Sequence, residues 1–286
     1  MEPLKPSAAG ALPRIDTWPR KLLLAVALGY LTLFLALPVA FILIQALAKG
    51  WQAYLAPLRD PAALAAVKLT LYAAALAVPL NLVFGVAAAW CIAKFEFKGK
   101  TALIALIDLP LTISPVISGL MFVLIFGLQG WLGPWLGGHN ISIIFAAPGI
   151  ALATVFVTLP FVARELIPLM AERGKDDEEA SVLLGADGWQ TFWLVTLPGI
   201  KWGLFYGVVL SAARAIGEFG AVSMVSGHIR GRTNTLTLHV ETLYNEYNMT
   251  AAFAVSSLLV LLALFTLAAQ ALISAREEAG GRGEIL

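Results

Sequence analysis

Residues 164–196 read RELIPLMAERGKDDEEASVLLGADGWQTFWLVT, the longest charged segment in the chain. It lies between two apolar runs, Ile141–Ala163 and Pro198–Val222. A helix needs roughly 20 apolar residues to cross about 30 Å of hydrocarbon, and both runs are long enough. Further runs of the same kind lie at Leu22–Leu47, Val67–Ala93, Ala102–Leu128 and Thr250–Ile273. Of 286 residues, 59% are hydrophobic and 13% charged, and the mean hydropathy is +0.84. A soluble domain carries about 25% charged residues, so an ordinary water-facing surface cannot be made from this chain. The expected fold class is all-α, a polytopic membrane protein of about six transmembrane helices.

Lysine and arginine set the orientation. With the amino terminus inside, the cytoplasmic segments hold Lys5, Arg14, Arg20, Lys21, Lys94, Lys98, Lys100, Arg164, Arg173, Lys175, Arg276 and Arg282. The outer side holds Lys49, Arg59, Lys68, Arg230 and Arg232, while Lys201 and Arg214 fall inside the fifth span. Twelve against five places both termini, and the 164–196 loop, in the cytoplasm. The expected organisation is a cytoplasmic tail (1–20), a first span with its outer loop (21–66), a transmembrane domain (67–273) and a second tail (274–286). A net charge of +1, with no basic patch, gives no reason to expect a nucleic-acid partner. The single cysteine, Cys91, excludes an intrachain disulfide and reads as a packed core thiol.

The charged loop resolves into two short amphipathic helices. In the first, Ala180, Leu183 and Leu184 share a face behind the acids Asp176, Asp177, Glu178 and Glu179, which suit the positive end of a helix dipole. Gly185 ends that helix in a left-handed cap. In the second, Asp187 and Gln190 form a capping-box pair, and Trp189, Phe192 and Trp193 share a face. Periodicity leaves two uses open for that aromatic face, a groove on a partner protein or the membrane interface.

The segment Glu179-Ala180-Ser181-x3-Gly185-x9-Val195-x-Leu197-Pro198 resembles the EAA loop of ABC importer permeases, E-A-A-x3-G-x9-I-x-L-P. Ser181 and Val195 are its only departures, both small or conservative. The resemblance implies a type I ABC importer permease fold. It also implies that the loop, 164–197, holds the coupling helix that inserts into a cleft on an ATP-binding subunit. Glu178, Glu179, Ala180, Gly185, Asp187, Trp189, Leu197 and Pro198 are the expected coupling residues. A second run, Ala213-Arg214-Ala215-Ile216-Gly217-Glu218-Phe219-Gly220-Ala221, resembles the fifth span of sulfate and molybdate permeases. The following SGHIRGRTNTLTLHVETLYNEYN is closer to the sulfate/thiosulfate members. The expected partners are two copies of the ATP-binding subunit, a second related permease, a sulfate/thiosulfate-binding protein and membrane lipid. The expected location is the bacterial cytoplasmic (inner) membrane. No cofactor is expected in this chain, ATP and magnesium being bound by the partner, and no bond chemistry.

On the fifth span, Gly199, Gly203, Gly207, Ser211 and Ala215 recur every four residues on one arc, opposite Trp202, Phe205, Val209 and Ile216. Small residues let helices approach closely. Arg214 and Glu218 fall inside the small arc, four residues apart, and read as a gate or structural latch in preference to an anion site. Prolines 38, 79, 110, 115, 148 and 160 interrupt the spans, most heavily around Asp108-Leu-Pro110 and Ser114-Pro115. A broken helix beside a translocation path and a kinked helix packed on its neighbours are both open readings there, and Asp108 favours the path.

Three patterns mislead. Gly99-Lys100-Thr101 ends like a phosphate-binding loop, but the required first glycine would fall at Lys94. His139, His228 and His239 show no metal-ligand spacing. The acids at 176–179 lack the alternation of a calcium loop. The reading is a permease subunit of an ATP-driven sulfate/thiosulfate importer. Its rivals are a molybdate or tungstate permease, an ion-gradient-driven secondary transporter and an assembly factor.

Overall fold

A computed structural model describes residues 17–283, which are helical almost throughout, with no strand among them. The first crossing comprises α1 (Thr17–Leu31), a π-helical turn and α2 (Leu37–Leu47). After the short α3 (Trp51–Leu58) comes α4 (Pro61–Lys94). Asp60 starts it, its Oδ1 accepting the Ala62 amide at 3.1 Å, with Pro61 in the first turn where no amide proton is needed. Helices α5 (Lys100–Thr112) and α6 (Pro115–Phe126) are together long and apolar enough for one crossing and are bent by 105°. Helix α7 (Gly133–Gly138) lies in the next loop, ahead of α8 (Ala147–Glu172). Two short helices, α9 (Asp176–Leu183) and α10 (Gly188–Thr191), connect α8 through a second π-helical turn to α11 (Leu197–Ile216). Then come α12 (Gly220–Ser226), α13 (Leu236–Asn245) and α14 (Met249–Gly283). Five helices are long and apolar enough to cross a membrane, six with the bent pair, as the six apolar runs require.

Helix α8 is the centre. Of its apolar window 56% is buried, against 33% for α4 and 28% for α11. Ala89 of α4, Val162, Leu166 and Met170 of α8 and Ile200 of α11 form one apolar cluster. A second joins Ala73, Ile150, Val157, Val222 and Leu238, and so fixes α12 and α13 against α4 and α8. Small residues permit this closeness: a Cβ on Gly85 would stand 2.7 Å from the Val162 side chain. The small arc of the fifth span behaves as expected, with Gly203, Gly207, Ser211 and Ala215 buried and Phe205 exposed.

The structure corrects several boundaries. Helix α8 continues past Ala163 to Glu172 because Leu166 and Met170 carry its buried stripe onward, so residues 164–172 are helical and the turn into α9 follows them. The fifth span stops at Ile216 instead of Val222, since the chain breaks at Gly217–Phe219 and restarts as α12. Residues 274–283, expected as a tail, continue α14. Residues 17–20 open α1, while the rest of the amino-terminal tail and residues 284–286 lie outside the described residues. Pro79, Pro110 and Pro160 sit inside continuous helices, and only Pro115 marks a sharp break. Ser114 before it is extended, as a pre-proline residue prefers. Cys91 is half-buried, not packed in the core.

Candidate functional site

The α8–α11 connection has the expected helix–glycine–helix form. All four acids fall in the first turn of α9. Gly185 has φ +95, and the Ala186 and Gly185 amides bond to the carbonyls of Ser181 and Val182 at 3.0 Å each. Those two bonds make a Schellman cap, which closes the carbonyl end of α9. Asp187 accepts the Gln190 amide at 2.7 Å and Gln190 returns the bond to the Asp187 amide at 3.1 Å, so the capping box is complete.

The aromatic residues do two jobs. Trp189, Phe192 and Trp193 contact one another, with ring centroids 5.7–6.2 Å apart. Phe192 also meets Trp90 of α4 edge-on at 5.7 Å, which anchors the loop to the body. Trp189 remains 70% exposed, and Val182, Leu183 and Leu184 are exposed as well. Between Trp90, Phe95, Glu179, Val182 and Leu183 opens a cleft of about 680 Å³. Ser181, the departure from alanine in the motif, has a local use. Its hydroxyl donates to the Glu178 carbonyl at 2.8 Å and lies 2.9 Å from the Thr191 hydroxyl, joining α9 to α10. Glu179, Ala180 and Pro198 are exposed, and Leu197 is half-buried.

Arg214 and Glu218 do meet, with Nη1 to Oε2 at 2.6 Å. Glu218 is 2% exposed, whereas the arginine side chain is 32% exposed. The other carboxylate oxygen accepts the Ala221 amide at 2.9 Å, and Thr237 donates to the Glu218 carbonyl at 2.8 Å. One residue thus joins the end of α11, the start of α12 and the start of α13. Asp108 stands apart from this pair and bonds across to α8, 3.3 Å from Arg164 Nε. Sequence spacing gives no sign of that partner. Lys94 was also missed: its ammonium meets Glu178 Oε2 at 3.2 Å although the two are far apart in sequence.

The misleading patterns are explained by local contacts. Lys100 pairs with Glu96 at 2.7 Å, and this hydrogen bond and charge hold the Glu96 carboxyl below its ordinary range. Among the described residues no group of three potential metal ligands occurs. His139 and His228 are exposed, but His239 is buried in α13.

Residues 81–278 match the family described as binding-protein-dependent transport system inner membrane components. The chain is 52% identical over 254 residues to the sulfate transport system permease protein CysW of Synechococcus elongatus, covering 89% of each chain. To the Escherichia coli permease CysT it is 36% identical over 244 residues, covering 85% of this chain and 88% of the other. In structure it is similar to a bacterial ABC transporter involved in the import of alginate, with a TM-score of 0.74 and 17% identity. That likeness covers 90% of this chain and 96% of that one, and it shows a shared fold. By the family match and the extent of the CysW likeness, this chain belongs to the inner-membrane permeases of binding-protein-dependent ABC transport systems, in the CysW sulfate-permease branch.

Proposed function

We propose that this chain is one permease subunit of an ATP-driven importer of sulfate and thiosulfate, and that α9 with the adjoining aromatic face docks its ATP-hydrolysing partner. The observation that carries the reading is an exposed helix, capped at Gly185, presenting Val182, Leu183 and Leu184 beside the exposed Trp189 of α10 and an open cleft. Unpartnered apolar groups grouped in this way suit a protein groove. The basic-residue count puts that face in the cytoplasm, together with both termini. Glu178, Glu179, Ala180, Gly185, Asp187, Trp189, Leu197 and Pro198 shape or present it. Two ATP-binding subunits, a CysT-like second permease and an external binding protein complete the assembly. ATP and magnesium belong to the partner. The gradient-driven rival leaves the docking face without a purpose.

The chain's own task is to alternate access to a path between two faces as the ATPase pair closes and opens. Arg214–Glu218 serves as a latch on the α11–α12 break, and Asp108–Arg164 ties the bent crossing to the central span. Substitution at Gly185 tests the docking role. Valine there combines a β-branched side chain with a positive φ, which costs an ordinary residue about 1–2 kcal/mol. No atom lies within 4 Å of the added Cβ, so the strain is in the backbone alone. Gly185→Val is expected to reach the membrane normally, yet to lose the co-purifying ATP-binding subunit and sulfate-stimulated hydrolysis. Normal values of both would remove this loop from the coupling role.

A further inference from the structure

Helix α9 contributes no buried residue to the fold. A short helix with no apolar face against the body is not held in place by packing, and isolated helices of this length are unstable in water. What fixes α9 is polar. Lys94, in the last turn of α4, is only 9% exposed, and its ammonium meets Glu178 Oε2 at 3.2 Å. The same ammonium donates to the carbonyl of Gly174, in the turn between α8 and α9. Glu178 Oε1 accepts the Thr196 hydroxyl at 2.7 Å, and Thr196 is the buried last residue of the π-helical turn that enters α11. The ammonium therefore joins the end of α4 to the turn after α8 and to helix α9, and the other oxygen of Glu178 carries the connection on to the start of α11. Burying an ammonium is unfavourable unless it is both paired and hydrogen-bonded, and both conditions are met here.

We propose that Lys94 is a positioning residue for coupling: it makes α9 and the loop-side ends of α4, α8 and α11 move as one body. A displacement imposed on α9 then reaches three spans at once. Without the ammonium, α9 keeps its Schellman cap, the Ser181–Thr191 and Glu178–Thr196 bonds, and the loop keeps the Phe192–Trp90 contact, but α9 itself loses its ion pair with α4. The inference rests on the docking role proposed for the α8–α11 connection, and it concerns transmission, not docking.

The test uses the full complex, with its ATP-binding subunits, second permease and binding protein, in vesicles. Two quantities are read for Lys94→Met: the amount of ATP-binding subunit retained, and the sulfate imported per ATP hydrolysed. The expected result is retention comparable to the parent with the import ratio down about tenfold, the scale on which residues along a coupling route act. Lys94→Arg, which keeps charge and donors, should restore most of the ratio. A parental ratio in Lys94→Met, beside loss of the ATP-binding subunit in Gly185→Val, overturns the role of Lys94 alone. Parental ratio and retention in both variants overturn the docking reading as well. A loss of import in proportion to lost ATP-binding subunit, with the ratio intact, reduces Lys94 to a folding contact and also overturns the proposal. Should Lys94→Met fail to reach the membrane, Thr196→Val removes the neighbouring bond to Glu178 from outside the docking face and is judged by the same criteria.

Discussion

At Glu218 a single carboxylate sits between two helices, one oxygen on the Arg214 guanidinium and the other on the first turn of α12. Removing Arg214 strands a buried charge. That costs about 3 kcal/mol when burial is complete and less here, since water reaches the partly exposed arginine. Arg214→Ala and Glu218→Gln are each expected to lower the melting temperature of the purified protein and its uptake. Exchanging the two residues should recover part of the stability if the pair is a latch. Unchanged melting in both single variants would make the contact incidental. His239 supplies a pH dependence. Burial, and then the charge of Arg230, push its pKa below the ordinary value, while Asp60 and Glu246 oppose the shift. The folded state therefore favours neutral His239. Its contribution is fully present above about pH 6.5 and is lost as pH falls further. His239→Gln should flatten the fall in melting temperature between about pH 7 and pH 5, and an unchanged acid limb would contradict this. At this scale the caps were legible: Gly185 and Asp187–Gln190 act within a few residues of themselves. Lys94–Glu178 and Asp108–Arg164 were not, because no local pattern encodes a contact between distant helices.

The bent crossing shows how one helix break shapes its neighbours. Ser114-Pro115 turns α5 into α6, and the Gly217–Phe219 break turns α11 into α12. The second half of each then packs on the other. A Cβ on Gly119 would lie 2.5 Å from the Ala221 carbonyl oxygen, and one on Gly220 would lie 3.0 Å from Pro115. Backbone meets backbone at Gly119, so no side-chain movement relieves the overlap. Gly119→Ala is expected to destabilise by about 1–3 kcal/mol, read as a lower unfolding midpoint in detergent, and parental stability would contradict the close approach. The proline at 115 was visible in sequence as one of several interruptions. Pro79, Pro110 and Pro160 leave their helices unbroken, since a transmembrane helix tolerates proline where neighbours or water satisfy the freed carbonyl. Pro148 lies in the first turn of α8 and marks its start. The α11 break had a signal too, Gly217 before a carboxylate able to cap the next helix, but the apolar run through Val222 concealed it. The first span is different again. None of its apolar window is buried, and its contact with the body is through α2 and α14, where Phe41 meets Phe253.

Across the whole molecule, two regions surround the central span α8: a hub of breaks at Glu218 and a polar anchor at Lys94. Composition alone gave the solvent, because 13% charged residues cannot cover a soluble surface. The length of the apolar runs gave the number of crossings, and periodicity gave the small-residue arc of the fifth. The use of the charged loop came from its motif, since spacing by itself fitted a membrane interface equally well. The central claim is that this chain moves sulfate only when an ATP-hydrolysing partner drives it. The direct measurement is sulfate uptake into sealed vesicles holding the chain with its second permease and binding protein, with and without the ATP-binding subunit. Uptake that requires both that subunit and ATP is the predicted result. Sulfate accumulation without the subunit, driven by an imposed ion gradient, would contradict it.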